Sequence, residues 1–249
     1  MNMREITILG VPFAALTPDE ALTQMENWLD EPKNHIVVTP NPEGVMQARR
    51  NAELSAALLG ADLRLADGVG ILLASRYMRR PLPGRVRGVD TIFGFFERLN
   101  KKDRKFTVYF LGAKPGVAEE AKRRMEEKYP CMEVVGFHHG FFAENSDDER
   151  EILTNINKLQ PDILLVCVGM PRAEIWANKH REINARLTLC LGGTLDIMGG
   201  NVKLAPPFLR KIGLEWLYRL CKQPSRFWRQ LDIPRFMWAV VTEVKHDKK

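Results

Sequence analysis

The chain has 249 residues, 45 % of them apolar, and a net charge of +6, which is enough to bury a full core without disulfide or metal staples. Its four scattered cysteines (Cys131, Cys167, Cys190 and Cys221) include no CxxC pair. This excludes a disulfide frame or zinc finger and fits reduced thiols in the cytoplasm. The longest apolar run, 163–170, falls far short of the ~20 residues of a bilayer span, and the opening residues are too polar for a signal peptide.

In chain order, residues 6–9 read as a strand. Thr17-Pro18-Asp19-Glu20 is a capping box with proline at the first helical position, and it starts a helix to about 31. A strand at 35–39 follows, then a helix over 43–59 broken near Asn51, and a short strand at 63–66. Helices at 69–78 and 91–101 flank a basic loop stiffened by proline. From 106 onward the alternation is regular, with strands at 106–111, 133–137, 162–168 and 187–191 and helices at 117–129, 147–159 and 172–184. Strands alternating with such helices predict an α/β, Rossmann-like, mainly parallel sheet with helices on both faces. Ligands of such sheets bind at the carboxyl ends of the strands.

Beyond residue 200 the composition changes. Residues 1–202 carry 26 Lys/Arg against 27 Asp/Glu, whereas residues 203–249 carry 11 against 4. Seven aromatic residues fall between Phe208 and Trp238. The expected organisation is a catalytic core, 1–202, and a short, basic, aromatic helical appendage, 203–249. The charge asymmetry predicts an anionic partner for the appendage, a lipid surface or nucleic acid.

Four predicted strands end in turn or polar chemistry: Thr39-Pro40-Asn41, Ala66-Asp67-Gly68-Val69-Gly70, Gly112 to Gly116, and Gly169-Met170-Pro171-Arg172. In a doubly wound sheet all four tips can line one crevice. Asp67 reads either as a helix N-cap or as a general base at a rigid strand tip. The basic loop from Arg79 to Arg87 reads as solvated surface or as a diphosphate clamp, because a guanidinium fork matches phosphate oxygens. The Gly112 turn reads as a plain βα turn or as a phosphate cradle. His138-His139 has no carboxylate or cysteine at ligand spacing, and there is no HExxH and no Asp-x-Asp, so no metal site is expected. The first predicted strand runs into Leu9-Gly10-Val11-Pro12 and not GxGxxG, which argues against a dinucleotide-dependent oxidoreductase.

Several stretches together resemble the WecG/TagA/CpsF family of bacterial glycosyltransferases. They are His35 to Asn41, Ala61 to Gly70, Pro81 to Gly88, Phe110 to Ala113, Val168 to Pro171 with Glu174 and Trp176, Leu191 to Asp196, and Gly213 to Arg219. The resemblance implies an inverting enzyme that moves a hexose, with N-acetylmannosamine the leading choice, from a UDP donor to polyprenyl-diphosphate-linked N-acetylglucosamine in teichoic acid or related surface glycan synthesis. It implies Asp67 as the base and Arg85 as the contact to the donor diphosphate, with Thr39 and Asn41 lining the site and Arg219, Arg226 and Arg229 completing it. Gly112, Arg172 and Glu174 fall on its motifs as further substrate-binding candidates.

No cofactor or metal is implied beyond the UDP-sugar co-substrate. The expected place of action is the inner face of the plasma membrane, peripherally attached, with no nucleic acid partner; the sequence is compatible with a homo-oligomer. Pro42, Ala66 and Ala173 stand where the family usually has Ala, Pro and Gln. The Ala173 departure keeps two alternatives open, a different UDP-hexose or a degenerate nucleotide-sugar-binding protein.

Overall fold

A computed structural model describes residues 3–206, 208–209, 215–222 and 227–246. The chain opens on an antiparallel hairpin of β1 (Glu5–Ile8) and β2 (Val11–Ala14). Its turn residues, Leu9 and Gly10, both have positive φ (49° and 84°), as a two-residue type I′ hairpin requires. The hairpin stands apart from the main sheet. Helix α1 (Pro18–Trp28) begins at the expected capping box: the Thr17 hydroxyl accepts from the Glu20 N–H, and the Glu20 carboxylate accepts from the Thr17 N–H at 2.7 Å.

The α/β alternation then runs through β3 (His35–Val38), α2 (Pro42–Ala48), α3 (Ala52–Gly60), β4 (Leu63–Arg64), α4 (Val69–Tyr77) and α5 (Gly88–Lys101). It continues with β5 (Phe106–Gly112), α6 (Val117–Lys128), β6 (Met132–His138), α7 (Asp147–Leu159), β7 (Ile163–Cys167), α8 (Arg172–Lys179), β8 (Leu187–Cys190) and α9 (Thr194–Met198). The last described elements are α10 (Glu215–Lys222), α11 (Phe227–Gln230) and α12 (Asp232–His246). The helix break near Asn51 is present: Asn51 caps α3, its side chain accepting from the Leu54 N–H at 3.0 Å.

Six strands form one sheet in the order β4-β3-β8-β7-β5-β6, and every pairing is parallel. Alternate strand residues feed two separate cores. Ile36, Val38, Tyr109, Leu111, Leu164 and Val166 join residues of α2, α3, α7 and α8 on one face. Val37, Val108, Phe110, Ile163 and Leu165 join residues of α1, α5, α6 and α9 on the other. Sheets covered on both faces need such uninterrupted apolar strands.

Helix α12 is not peripheral to this arrangement. Phe236 and Val240 are buried in the first core, and the helix packs on α2 and α4. Asp232 binds Arg50 through both carboxylate oxygens, at 3.1 and 2.5 Å. The compositional change at residue 203 therefore does not mark the edge of the core, because the last helix re-enters it.

Candidate functional site

The carboxyl ends of β3 and β4 are drawn together by glycine. Gly68 has φ of 91°, and a Cβ there would meet the Pro42 ring at 3.3 Å; a Cβ on Gly70 would meet it at 2.6 Å. Only residues without side chains let the start of α4 close on the first turn of α2 at this distance. The Asp67 N–H donates to the Pro40 carbonyl at 3.3 Å, and the Val86 N–H donates to the Ala66 carbonyl at 3.2 Å. These two bonds bring Asn41, Asp67 and the basic loop to one place. The N-cap of α4 is Gly68, without a side-chain capping bond, so Asp67 stands one residue before the cap position. Asn41 caps α2, its Oδ1 accepting from the Gly44 N–H at 2.8 Å.

A cleft of about 330 Å³ lies over these ends. Asn41, Glu43, Asp67, Arg85, Arg87 and Glu215 supply its charged and polar lining, and Val69, Leu73, Val89, Trp216, Ile233 and Met237 an apolar wall. Glu215 of α10 lies 3.0 Å from Arg87 and 3.9 Å from Arg85, while Arg87 also pairs with Asp90 at 2.8 Å. The C-terminal segment is thus part of the cleft wall. Gln230, which lines the cleft too, donates to the Trp216 carbonyl at 3.0 Å.

The other expected residues sit differently. A Cβ on Gly88 would meet Thr39 Oγ1 at 3.0 Å and Leu191 at 3.1 Å, so Thr39 lies beneath the start of α5 and not among the cleft-lining residues. Arg229 stands at the rim, its Nε 2.5 Å from Glu43. Arg219 is in α10 but its side chain lies outside the described residues, as does the whole of Arg226.

Of the four strand tips, those of β3 and β4 line this cleft; those of β5 and β7 do not. Gly112, at the end of β5, has φ of 145°, and a Cβ there would strike the Cys167 main chain at 2.5 Å. Close packing of β5 on β7 accounts for this glycine. Arg172 donates to the carbonyls of Gly140 and Phe142, each at 2.5 Å, and stacks 4.2 Å over the Phe142 ring. Its guanidinium braces the 140–142 loop. Ala173 is fully buried in the core, so the alanine that departs from the family motif faces packed side chains.

Glu174 is buried in the first turn of α8, and its Oε2 has no hydrogen-bond partner among the described residues. Burial pushes its carboxyl up to about 7 from the ordinary 4.5. The folded protein therefore favours the protonated acid, and the contribution of this group to stability is fully present below pH ~4.5 and is lost as pH rises towards 7. A shift of this size corresponds to roughly 3 kcal/mol once the group is ionised. In urea titrations at pH 5 and pH 8, Glu174→Gln is expected to flatten the loss that the wild type shows between them. Equal losses in both proteins would assign the pH dependence to other groups.

Arg87, Glu215, Trp216 and Gln230 are site residues that the sequence did not single out. Arg87 lies in the basic loop, and Glu215 and Trp216 lie within a stretch that carries the family resemblance. Only their convergence on Asp67 sets them apart from their neighbours.

The family model for the glycosyl transferase WecG/TagA/CpsF family matches residues 6–249. An N-acetylglucosaminyldiphosphoundecaprenol N-acetyl-beta-D-mannosaminyltransferase of Bacillus spizizenii is 34 % identical over 222 residues, 89 % of this chain and 83 % of the relative. The protein of the same name from Bacillus subtilis is 28 % identical over 99 % of this chain and 94 % of its own. That of Staphylococcus aureus is 28 % identical over 100 % and 96 %. With a match that runs through nearly its whole length, the chain belongs to the WecG/TagA/CpsF family of glycosyl transferases.

Proposed function

We propose that the protein is an inverting hexosyltransferase that moves N-acetylmannosamine from UDP to N-acetylglucosamine carried on a polyprenyl diphosphate, a step in teichoic acid or related surface glycan synthesis. The observation that carries this reading is the meeting of Asp67 with Arg85 and Arg87 in one cleft over the carboxyl ends of β3 and β4. The names of the relatives support the sugar and the acceptor.

In this reading the Asp67 carboxylate takes the proton from the acceptor hydroxyl. The freed oxygen bonds to the anomeric carbon as the bond to UDP breaks on the opposite face. Its electron pair leaves with the diphosphate, and the configuration inverts without a covalent intermediate. Arg85 takes up the charge that develops on the departing diphosphate, and no metal ion is required.

No helix among the described residues is long and apolar enough to cross a membrane. Attachment is peripheral in this reading, on the inner face of the plasma membrane. Exposed Trp228 and Trp238 (76 % and 72 %) and the basic C-terminal composition suit an anionic interface.

The test is to offer a panel of UDP-sugars with a lipid-diphosphate N-acetylglucosamine acceptor and identify the product by mass spectrometry, with and without chelator. Transfer of N-acetylmannosamine, insensitive to chelator, is expected. Transfer of another hexose from the same panel would correct the donor and leave the reaction class standing. Arg85→Ala is expected to weaken UDP binding ~10–100-fold, the value of a charged hydrogen bond, without rescue by Mg²⁺. Calorimetric titration with UDP checks this, and unchanged affinity would remove Arg85 from the donor site.

A further inference from the structure

Helix α4 is apolar on two sides. Ile71 and Ala74 face the core. Val69, Leu73 and Tyr77 follow one another at four-residue spacing, which places them on one stripe. The stripe runs about 12 Å at the rise of an α-helix. Leu73 and Tyr77 are 46 % and 45 % exposed, where a surface helix ordinarily carries polar side chains. The stripe begins at Val69, two residues after Asp67, inside the cleft, and Leu73 continues it there. Helix α12 packs against α4 and adds Ile233 and Met237 at the same spacing to the apolar wall.

We infer that the apolar stripe of α4, with Ile233 and Met237 of α12 beside it, seats the isoprenoid chain of a polyprenyl diphosphate acceptor. The inference rests on the acceptor proposed above. Its own support is adjacency: Val69 and Leu73 of the stripe, with Ile233 and Met237, line the same cleft as Asp67, and the stripe continues along α4 to exposed Tyr77. A prenyl diphosphate sugar carries a hydrocarbon chain on the same molecule as the hydroxyl that Asp67 would deprotonate, so one acceptor calls for a carboxylate and an apolar surface in one cleft. A protein partner or a bare bilayer would cover Leu73 and Tyr77 without requiring that their stripe start beside Asp67.

The experiment uses the full chain without vesicles or micelles, with UDP-N-acetylmannosamine as donor. Two soluble acceptors are compared, N-acetylglucosamine diphosphate as its methyl ester and as its farnesyl ester. The wild type is expected to show kcat/KM ~10-fold or more higher for the farnesyl acceptor, the return on burying a few CH₂ groups. Leu73→Gln and Tyr77→Gln should each bring that ratio towards one. Trp228→Gln, at an exposed tryptophan outside the cleft, should leave the ratio as it is.

A wild-type ratio near one, or variants that keep the full ratio, would overturn the inference. The Trp228 variant losing the ratio as fully as the Leu73 variant would overturn it as well, since the effect would then be a general one of exposed apolar surface. Transfer to both acceptors with equal kcat/KM leaves the proposed reaction standing and removes the subsite. Transfer to neither, with UDP-sugar still bound, removes the acceptor reading and the subsite with it.

Discussion

Replacing Asp67 with asparagine is expected to lower the transfer rate by ~10²–10⁴, the usual cost of losing a general base, while UDP affinity stays near that of the wild type. The substitution is close to isosteric, and the main-chain bond from residue 67 to the Pro40 carbonyl does not involve the carboxylate. Helix α4 has its N-cap at Gly68, so the exchange does not remove a helix cap. Turnover and UDP binding measured on one preparation separate the two roles. Near-normal turnover would reduce Asp67 to a residue that shapes the loop, whereas loss of UDP binding together with turnover would place it on the donor.

Phe236→Ala is expected to destabilise the protein by ~3–5 kcal/mol, as deletion of a fully buried aromatic side chain does. Phe236 is 0 % exposed in the core beneath α12, whereas Trp238, two residues on, is 72 % exposed. Trp238→Ala should therefore stay within about 0.5 kcal/mol of the wild type. Denaturant titration of the pair measures whether the last helix belongs to the cooperative core. A small effect at Phe236 would mean that it does not. The same contacts revise the sequence-based division at residue 203. Removing everything from residue 208 would also strip Phe236 and Val240 from the core, so loss of activity in such a truncation would not isolate the arginines of the C-terminal segment. Single substitutions such as Arg229→Ala are the cleaner probe.

The parallel sheet was legible because its strands are short apolar runs between amphipathic helices. The residues that form β3, β5, β7 and β8 could hardly be anything else in a chain with this alternation. Strand β2 was not legible. Pro12 argues against a strand, and Leu9-Gly10 lacks the Asn-Gly or Asp-Gly signal of a type I′ turn. Helix α8 stops at Lys179, short of the expected 184, with no glycine or proline in that stretch to announce the stop.

Asp67, Asn41 and Arg85 could be named from local pattern and resemblance, and they do share one cleft. Arg172 could not be judged that way, because only the fold shows its guanidinium spent on the carbonyls of Gly140 and Phe142. Glu215 was equally hidden. Its importance comes from the approach of α10 to a loop well over a hundred residues earlier, and helical periodicity carries no information about that distance.

The place of β3 inside the sheet, between β4 and β8, has a consequence for how the molecule is made. Strands β5, β6 and β7 are near one another in the chain and can pair early, but residues 35–38 find their neighbours at 187–190. Closing so large a loop is entropically costly and slow. Until β8 emerges from the ribosome, β3 and β4 have no place beside β7, and their unpaired edge is open to wrong partners. Asp67 therefore reaches its working position late in synthesis, after the half of the sheet that does not line the cleft. Substitutions that weaken the docking of β8, such as loss of the Thr188 hydroxyl bond to Asn34 at 2.8 Å, should act first on the yield of folded enzyme and only afterwards on the rate of each molecule that folds.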